Sequence, residues 1–251
     1  MDDALLARIE DAGLNASAPP QQRLLDGWLL RFSPGKAKRA RCVNAIADGR
    51  LPLAAKLAAC EAVYREAALP LLVRITPFSR PADLDARLAA LGWPRIDDTR
   101  VMVLADLASR RCETAVDVQP LALEPFAHAA GELRGSPLAQ RLAHGQRLLH
   151  SPVPFHAFAL RDARGAVLAC GQYAMEGELV GLYDVITDAA QRGRGHAGRL
   201  CAHLLAHAAA RGARVAYLQV DADNTPARAL YRRLGFVDGY AYHYRSPDRA
   251  P

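Results

Sequence analysis

The chain has 251 residues, 51% hydrophobic and 23% charged, which excludes an intrinsically disordered protein. No run approaches the ~18 apolar residues a membrane helix needs. The acidic start Met1-Asp2-Asp3 lacks the basic and apolar regions of a secretory signal, so no membrane partner and a cytoplasmic protein are expected. The net charge is +6, but only Lys36, Lys38 and Lys56 among the 32 basic residues are lysines. Such an arginine- and alanine-rich bias points to genome composition rather than to a phosphate-binding face.

In chain order, residues 27–32 read as a strand. The one dense basic cluster follows at 35–41, and it reads as a charged strand edge or turn. No specific nucleic acid is expected there; a nucleic-acid reading would require affinity that falls steeply with salt. Residues 42–46 read as a strand, 53–67 as a helix, 71–75 as a strand, 82–91 as a helix and 101–104 as a strand. A join is expected in the polar stretch 108–113. The five cysteines (Cys42, Cys60, Cys112, Cys170, Cys201) are odd in number and form no CxxC pair, which fits buried thiols rather than disulfides or a zinc ribbon.

The second half begins with a strand at 116–118 and helices at 121–133 and 138–150. Three apolar runs, 155–160, 166–175 and 179–187, are separated by turns and read as an antiparallel meander. Ala197, Leu200, Cys201, Leu204, Leu205 and Ala208 then form one stripe of a helix. Arg199, His203 and His207 fall on its other side, read as a solvated face. His203 and His207 have i, i+4 spacing but no third ligand, so no metal is expected. Residues 215–220 read as a buried strand. Thr225 as N-cap and Pro226 at N1 open a short helix carrying Tyr231 and stopping at Gly235, and the chain ends in strands from Phe236 and at 240–244. Leu91-Gly92-Trp93 echoes Leu234-Gly235-Phe236, and the halves share their element order, which reads as a diverged internal duplication.

The most informative segment is Gln191-Arg192-Gly193-Arg194-Gly195-His196-Ala197-Gly198, between a strand and a helix. Glycines let the backbone curl close to a ligand, and the first-turn N–H groups of a helix suit an anion. It is neither a Walker A loop nor a dinucleotide fingerprint. Further on lies Asn224-Thr225-Pro226-Ala227-Arg228-Ala229-Leu230-Tyr231-Arg232-Arg233-Leu234-Gly235-Phe236. Together, Arg192-x-x-Gly195-x-Ala197 and the Asn224, Ala227, Tyr231, Gly235-Phe236 spacing resemble the GNAT superfamily of acetyl-CoA-dependent N-acetyltransferases. The strong resemblance covers about 178–244, extends more weakly back to about 116, and reaches the first half only as a degenerate copy.

That resemblance implies an α/β (α+β) fold of tandem GNAT-like domains, each a mixed, mostly antiparallel sheet flanked by helices. Residues 1–107 would be a degenerate domain and 114–251 the catalytic one. The backbone of Val185, Ile186 and Thr187 would pair with the pantetheine arm of acetyl-CoA. Gly193, Arg194, Gly195, His196, Ala197 and Gly198 would cradle its pyrophosphate, and Asn224 would bond near the arm unless it caps its helix. Tyr231 would protonate the departing thiolate; otherwise it packs between helix and sheet. Many relatives carry a carboxylate where this chain has Gln219. Asp184 is then the candidate base, directly or through water, or makes a structural hydrogen bond. Glu176, Glu178, Asp221 and Asp223 are the other nearby carboxylates. The first half has no such loop at 47–52 and carries Leu88 where Tyr231 stands, so it is not expected to bind acetyl-CoA. The activity implied is acetyl transfer to a primary amine of a small-molecule or peptide acceptor in a ternary complex, by a monomer or homodimer. A catalytically weak coenzyme A sensor is the alternative.

Overall fold

A computed structural model describes residues 1–33, 37–110 and 113–247. In chain order its elements are α1 (Asp3–Ala16), β1 (Gln21–Leu25), β2 (Trp28–Phe32), β3 (Val43–Asn44), α2 (Leu53–Glu66), β4 (Val73–Ile75), α3 (Leu84–Ala90), β5 (Arg95–Leu104), β6 (Val118–Leu121), α4 (Leu123–Leu133), α5 (Leu138–Leu149), β7 (Phe155–Arg161), β8 (Val167–Glu176), β9 (Leu179–Thr187), α6 (His196–Ala209), β10 (Val215–Asp221), α7 (Thr225–Arg233) and β11 (Val237–Arg245). No helix among the described residues is long and apolar enough to cross a membrane.

By compactness the chain forms two units. One gathers Met1–Ala16, Val101–Val220 and Asn224–Gly239; the other gathers Ser17–Arg100, Asp221–Asp223 and the chain from Tyr240 onward. In the second unit β1, β2 and β3 pair antiparallel, β3 pairs parallel with β4, and β4 pairs antiparallel with β11 through Ile75↔His243 to Val73↔Arg245. The last strand of the chain thus completes the sheet of the unit built mainly from the first half. Its core holds Trp28, Leu30, Tyr64, Val73, Leu84 and Leu88. Asp26 and Gly27, at φ 44° and 83°, form the two-residue turn of the β1–β2 hairpin. The basic cluster is a 3-10 turn at Lys38–Ala40, with Lys38 Nζ bonded to Asp97 at 2.6 Å, while Gly35 and Lys36 lie outside the described residues.

In the first unit β6, β7, β8 and β9 form the expected meander, and β9 runs parallel to β10. A parallel pair needs a crossover, which α6 supplies here and α2 supplies between β3 and β4. Leu200, Leu204, Leu205 and Ala208 of α6 are fully buried against Leu160, Val180 and Leu218. Helix α1 also belongs to this unit, burying Leu6, Ile9, Ala12, Gly13 and Ala16. Its Arg8 pairs with Glu178 at 3.0 Å, and Asn15 donates to Glu176 at 3.0 Å, so those two carboxylates hold α1 in place.

The far side of α6 is not a solvated face. His203 is buried, and its Nδ1 accepts from the Ala115 N–H at 3.1 Å. His207 Nδ1 lies 2.7 Å from the Tyr173 hydroxyl; the Phe158 ring packs against both imidazoles, and His156 and Tyr173 pack against that of His207. The antiparallel meander brings aromatic side chains of β7 and β8 under this helix face, which is why the polar-looking stripe is covered. The described cysteines Cys42, Cys60, Cys170 and Cys201 are free and buried; Cys112 lies outside the described residues.

Burial lowers the pKa of His156 and His203 and brings His207 down to about 4. In the unfolded chain imidazoles charge below about pH 6.5. Their contribution to stability is therefore present above that pH and lost as the pH falls toward 4. His207→Gln keeps an acceptor for Tyr173 but does not titrate. Urea unfolding should show it about 1–2 kcal/mol less acid-sensitive than wild type between these limits, after allowance for solvent screening. An unchanged pH slope would assign the acid sensitivity elsewhere. Cutting the chain at 108–113 separates β11 from the sheet it completes. The two fragments should be insoluble when produced alone and recovered as a complex when coexpressed, checked by size-exclusion chromatography.

Candidate active site

The site is built where β9 and β10 part. Their parallel register runs from Leu179↔Val215 to Leu182↔Leu218 and stops there, while β9 continues to Thr187, still paired with β8. Val185, Ile186 and Thr187 are half-buried in this continuation. Their backbone on the β10 side has no ladder partner in that register, as a strand prepared for an added extended chain requires. Gln219 is the first β10 residue past the parting. A methyl group placed on Gly13 would come within 3.1 Å of Gln219 Nε2, so α1 packs there directly.

After β9, Asp188 accepts from the Ala190 N–H at 2.7 Å and receives its own hydrogen bond from Gln191 N, which turns the chain toward the loop. Gly193 and Gly195 adopt φ 77° and 82°, and nothing lies within 4 Å of where a Cβ would stand on either. Gly195 is the N-cap of α6, and Arg199 is the first residue of this helix to donate back, to Gly195 O. The N–H groups of His196, Ala197 and Gly198 therefore have no intrahelical acceptor and lie at the positive end of the helix dipole. His196 Nδ1 is buried and has no hydrogen-bond partner among the described residues. An open donor cradle with an orphaned ring nitrogen fits a bound anionic group such as a diphosphate. Arg194 is exposed in the same loop.

Helix α7 lies against the first turn of α6: a Cβ on Gly198 would be 3.4 Å from Leu230. Asn224, not Thr225, is its N-cap, with Oδ1 accepting from Ala227 N at 3.2 Å; the side-chain amide N–H groups are left over from that bond. Tyr231, two turns on, is buried beside Cys201 and Phe236. Burial, then the Cys201 sulfur, pushes its pKa up, so the phenol keeps its proton throughout the physiological range. Cys201 itself is raised to about 12 by burial and is no nucleophile.

Asp184 stands two residues past the last parallel pair, at a β-bulge opposite Gly171, with φ 51°. Its carboxylate receives Gln172 Nε2 at 2.7 Å, pairs with Arg134 at 2.5 Å and lies 3.2 Å from His144 Nε2. Burial alone would raise its pKa, but the hydrogen bond from His144 and the charges of Arg134 and Arg147 hold it well below the usual range. A carboxylate so stabilised is a poor proton acceptor, which argues against Asp184 as the base. Asp221 accepts from the Asp223 N–H in a turn. Sequence reasoning overlooked Arg134, His144 and Gln172 as partners of Asp184. They come from a turn, a helix and a neighbouring strand, and no local spacing links them.

In the other unit the start of α2 is organised differently. Asp26 Oδ1 and Oδ2 accept from Arg50 N (2.8 Å) and Leu51 N (3.0 Å), and Lys56 Nζ lies 2.9 Å away. These bonds, first Arg50 N and then Lys56 and Leu51 N, lower the Asp26 pKa to about 2. The anion ahead of this helix is the chain's own carboxylate. Among the described residues no group of three or more His, Cys, Asp or Glu is placed to hold a metal.

The family model described as the C-terminal part of probable histone acetyltransferase Rv0428c matches residues 6–245. The uncharacterized N-acetyltransferase YobR of Bacillus subtilis is 27% identical over 233 residues, 89% of this chain and 91% of that protein. A mycothiol acetyltransferase of Corynebacterium glutamicum is 49% identical over 60 residues, 24% of this chain and 20% of its own. A GCN5-related N-acetyltransferase from Kribbella flavida superposes with a TM-score of 0.69 at 17% identity, covering 97% of this chain and 96% of the other. A tandem GNAT protein from the clavulanic acid biosynthesis pathway gives 0.68 at 15% identity, over 93% and 85%. The chain belongs to the Rv0428c C-terminal acetyltransferase family, an acyltransferase family, and shares its fold with a tandem GNAT protein.

Proposed function

We propose that the chain transfers the acetyl group of acetyl-CoA to a primary amine by direct attack in a ternary complex, with one active site, in the unit that carries α6 and α7. The observation that carries this reading is the open donor cradle at 193–198 with a protonated, buried phenol on the helix packed against it. Acetyl-CoA supplies an acyl group already activated as a thioester. Gly193, Gly195, His196, Ala197 and Gly198 bind its diphosphate through backbone N–H groups, with Arg194 adding charge. Val185, Ile186 and Thr187 hydrogen-bond the pantetheine arm as an added strand would, and a β9 N–H past the parting polarises the thioester carbonyl. Asn224 donates its free amide N–H to the arm while capping α7. Tyr231 donates a proton to the thiolate as the carbon–sulfur bond breaks. The first half provides no second site: it has no Arg-x-x-Gly-x-Gly/Ala loop at 47–52, carries Leu88 where Tyr231 stands, and holds the Asp26 carboxylate just ahead of α2, where it repels an anion.

Two measurements test this. Tyr231→Phe should lower kcat about 10²–10³-fold with acetyl-CoA affinity within about twofold of wild type, read by thiol release over a panel of primary amines and by calorimetry. Equal activity in the variant would remove the acid role, and coenzyme binding with no thiol release by wild type would favour a sensor. Calorimetric titration should give one acetyl-CoA per chain. Gly195→Ala should weaken binding about tenfold, because alanine strains the left-handed N-cap. Two equivalents per chain would contradict the single site.

A further inference from the structure

Asp184 is an unusual place to hold a charge. A non-glycine residue in the left-handed region costs about 1 kcal/mol or more and persists only where its surroundings over-determine it. Here three side chains from three elements converge on one carboxylate: Arg134 after α4, His144 of α5 and Gln172 of β8. The bulge that creates the strain turns Asp184 toward them, just past the point where β9 and β10 separate.

Two atoms of this cluster are left over. Gln172 is fully buried and gives its amide N–H to Asp184, yet its Oε1 has no partner among the described residues. His144 presents Nε2 to the carboxylate, which leaves Nδ1 on the other side of the ring. An ionised carboxylate on one ring nitrogen fixes the proton there and leaves the other nitrogen as a lone-pair acceptor. The Phe126 ring, 6.2 Å away and edge-on, limits rotation of the imidazole. The charged and titratable groups facing the cluster are Arg134, Arg147 and Asp184, with the Cys170 thiol kept neutral by burial.

We propose that His144, oriented by Asp184, is the general base that deprotonates the acceptor amine. This deepens the acetyl-transfer reading and rests on it. The incoming ammonium gives one proton to His144 Nδ1, which passes it to solvent. The nitrogen lone pair then forms the carbon–nitrogen bond, and the carbon–sulfur bond breaks with its electron pair on sulfur. Sulfur takes the Tyr231 proton, and the surplus proton shed as the amide forms restores the phenol. Asp184 stays ionised throughout and is a positioning residue.

The test pairs kinetics with a spectroscopic readout on the wild-type protein bound to acetyl-CoA. With simple primary amines of graded basicity, benzylamine to n-butylamine, His144→Gln should lose about 10²–10³-fold in kcat/KM at neutral pH. The loss should be greatest for the most basic amine and shrink as the pH approaches that amine's own pKa, while acetyl-CoA affinity is unchanged. Asp184→Asn should lose less and weaken the preference of His144 for the Nε2–H tautomer. Nitrogen-15 NMR of His144 in wild type should show the Nε2–H tautomer, a readout that survives even if a variant fails to fold. An Nδ1–H tautomer, or a His144→Gln enzyme with activity within about threefold and an unchanged pH profile, would overturn the proposal. If wild type turned over none of the amines while binding acetyl-CoA, the acetyl-transfer reading would fall, and the base with it.

Discussion

The N–H groups of His196, Ala197 and Gly198 have no carbonyl to bond within α6, and two left-handed glycines hold the preceding turn open in front of them. Unpaired backbone donors at the positive end of a helix are costly to bury and cheap to cover with an anion. The contrast with the start of α2 is instructive. There the Asp26 carboxylate, presented by a tight hairpin turn, satisfies Arg50 N and Leu51 N internally. The two halves repeat one strand–helix–strand crossover, but a fixed carboxylate stands just ahead of α2, whereas an open glycine turn stands ahead of α6.

A second constraint acts on the sheet. β9 and β10 share four register pairs and then diverge, so β9 runs on past Leu182 with no β10 ladder partner in that register. The β-bulge at Asp184 falls in that stretch. It carries a side chain to the α4–α5 side of the sheet, while Gly171 opposite it leaves room for Leu200 and Leu204 of α6. One irregularity thus serves both faces: packing for the helix that holds the cradle, and a fixed negative charge on the side where an acceptor would approach. The depressed pKa of Asp184 follows from the cations that fix it, and the same cations make it unfit to carry protons itself.

Much of this architecture was legible in the chain. The β9 span, the α6 stripe, the Gly-rich turn and the Tyr231 helix all depend on local periodicity and turn chemistry. Five features were not. Helix α1 was passed over although Leu6, Ile9, Ala12 and Ala16 follow helical spacing, and β1 was missed because it is almost wholly exposed and has no apolar alternation; the Asp26-Gly27 pair was the available signal. His203 and His207 were taken for a wet face because the rings that cover them come from β7 and β8, far along the chain. The exchange of β11 into the sheet of the other unit is a pairing choice between strands of similar pattern, which no single segment encodes. The partners of Asp184 belong to the same class, since Arg134, His144 and Gln172 meet only after folding.

The most direct measurement is a crystal structure of the protein with coenzyme A. The account predicts the diphosphate within hydrogen-bond distance of the backbone N–H groups of 193–198, the pantetheine arm along 185–187, and the sulfur beside the Tyr231 hydroxyl. Density for the coenzyme away from the start of α6, or a sulfur remote from Tyr231, would contradict it.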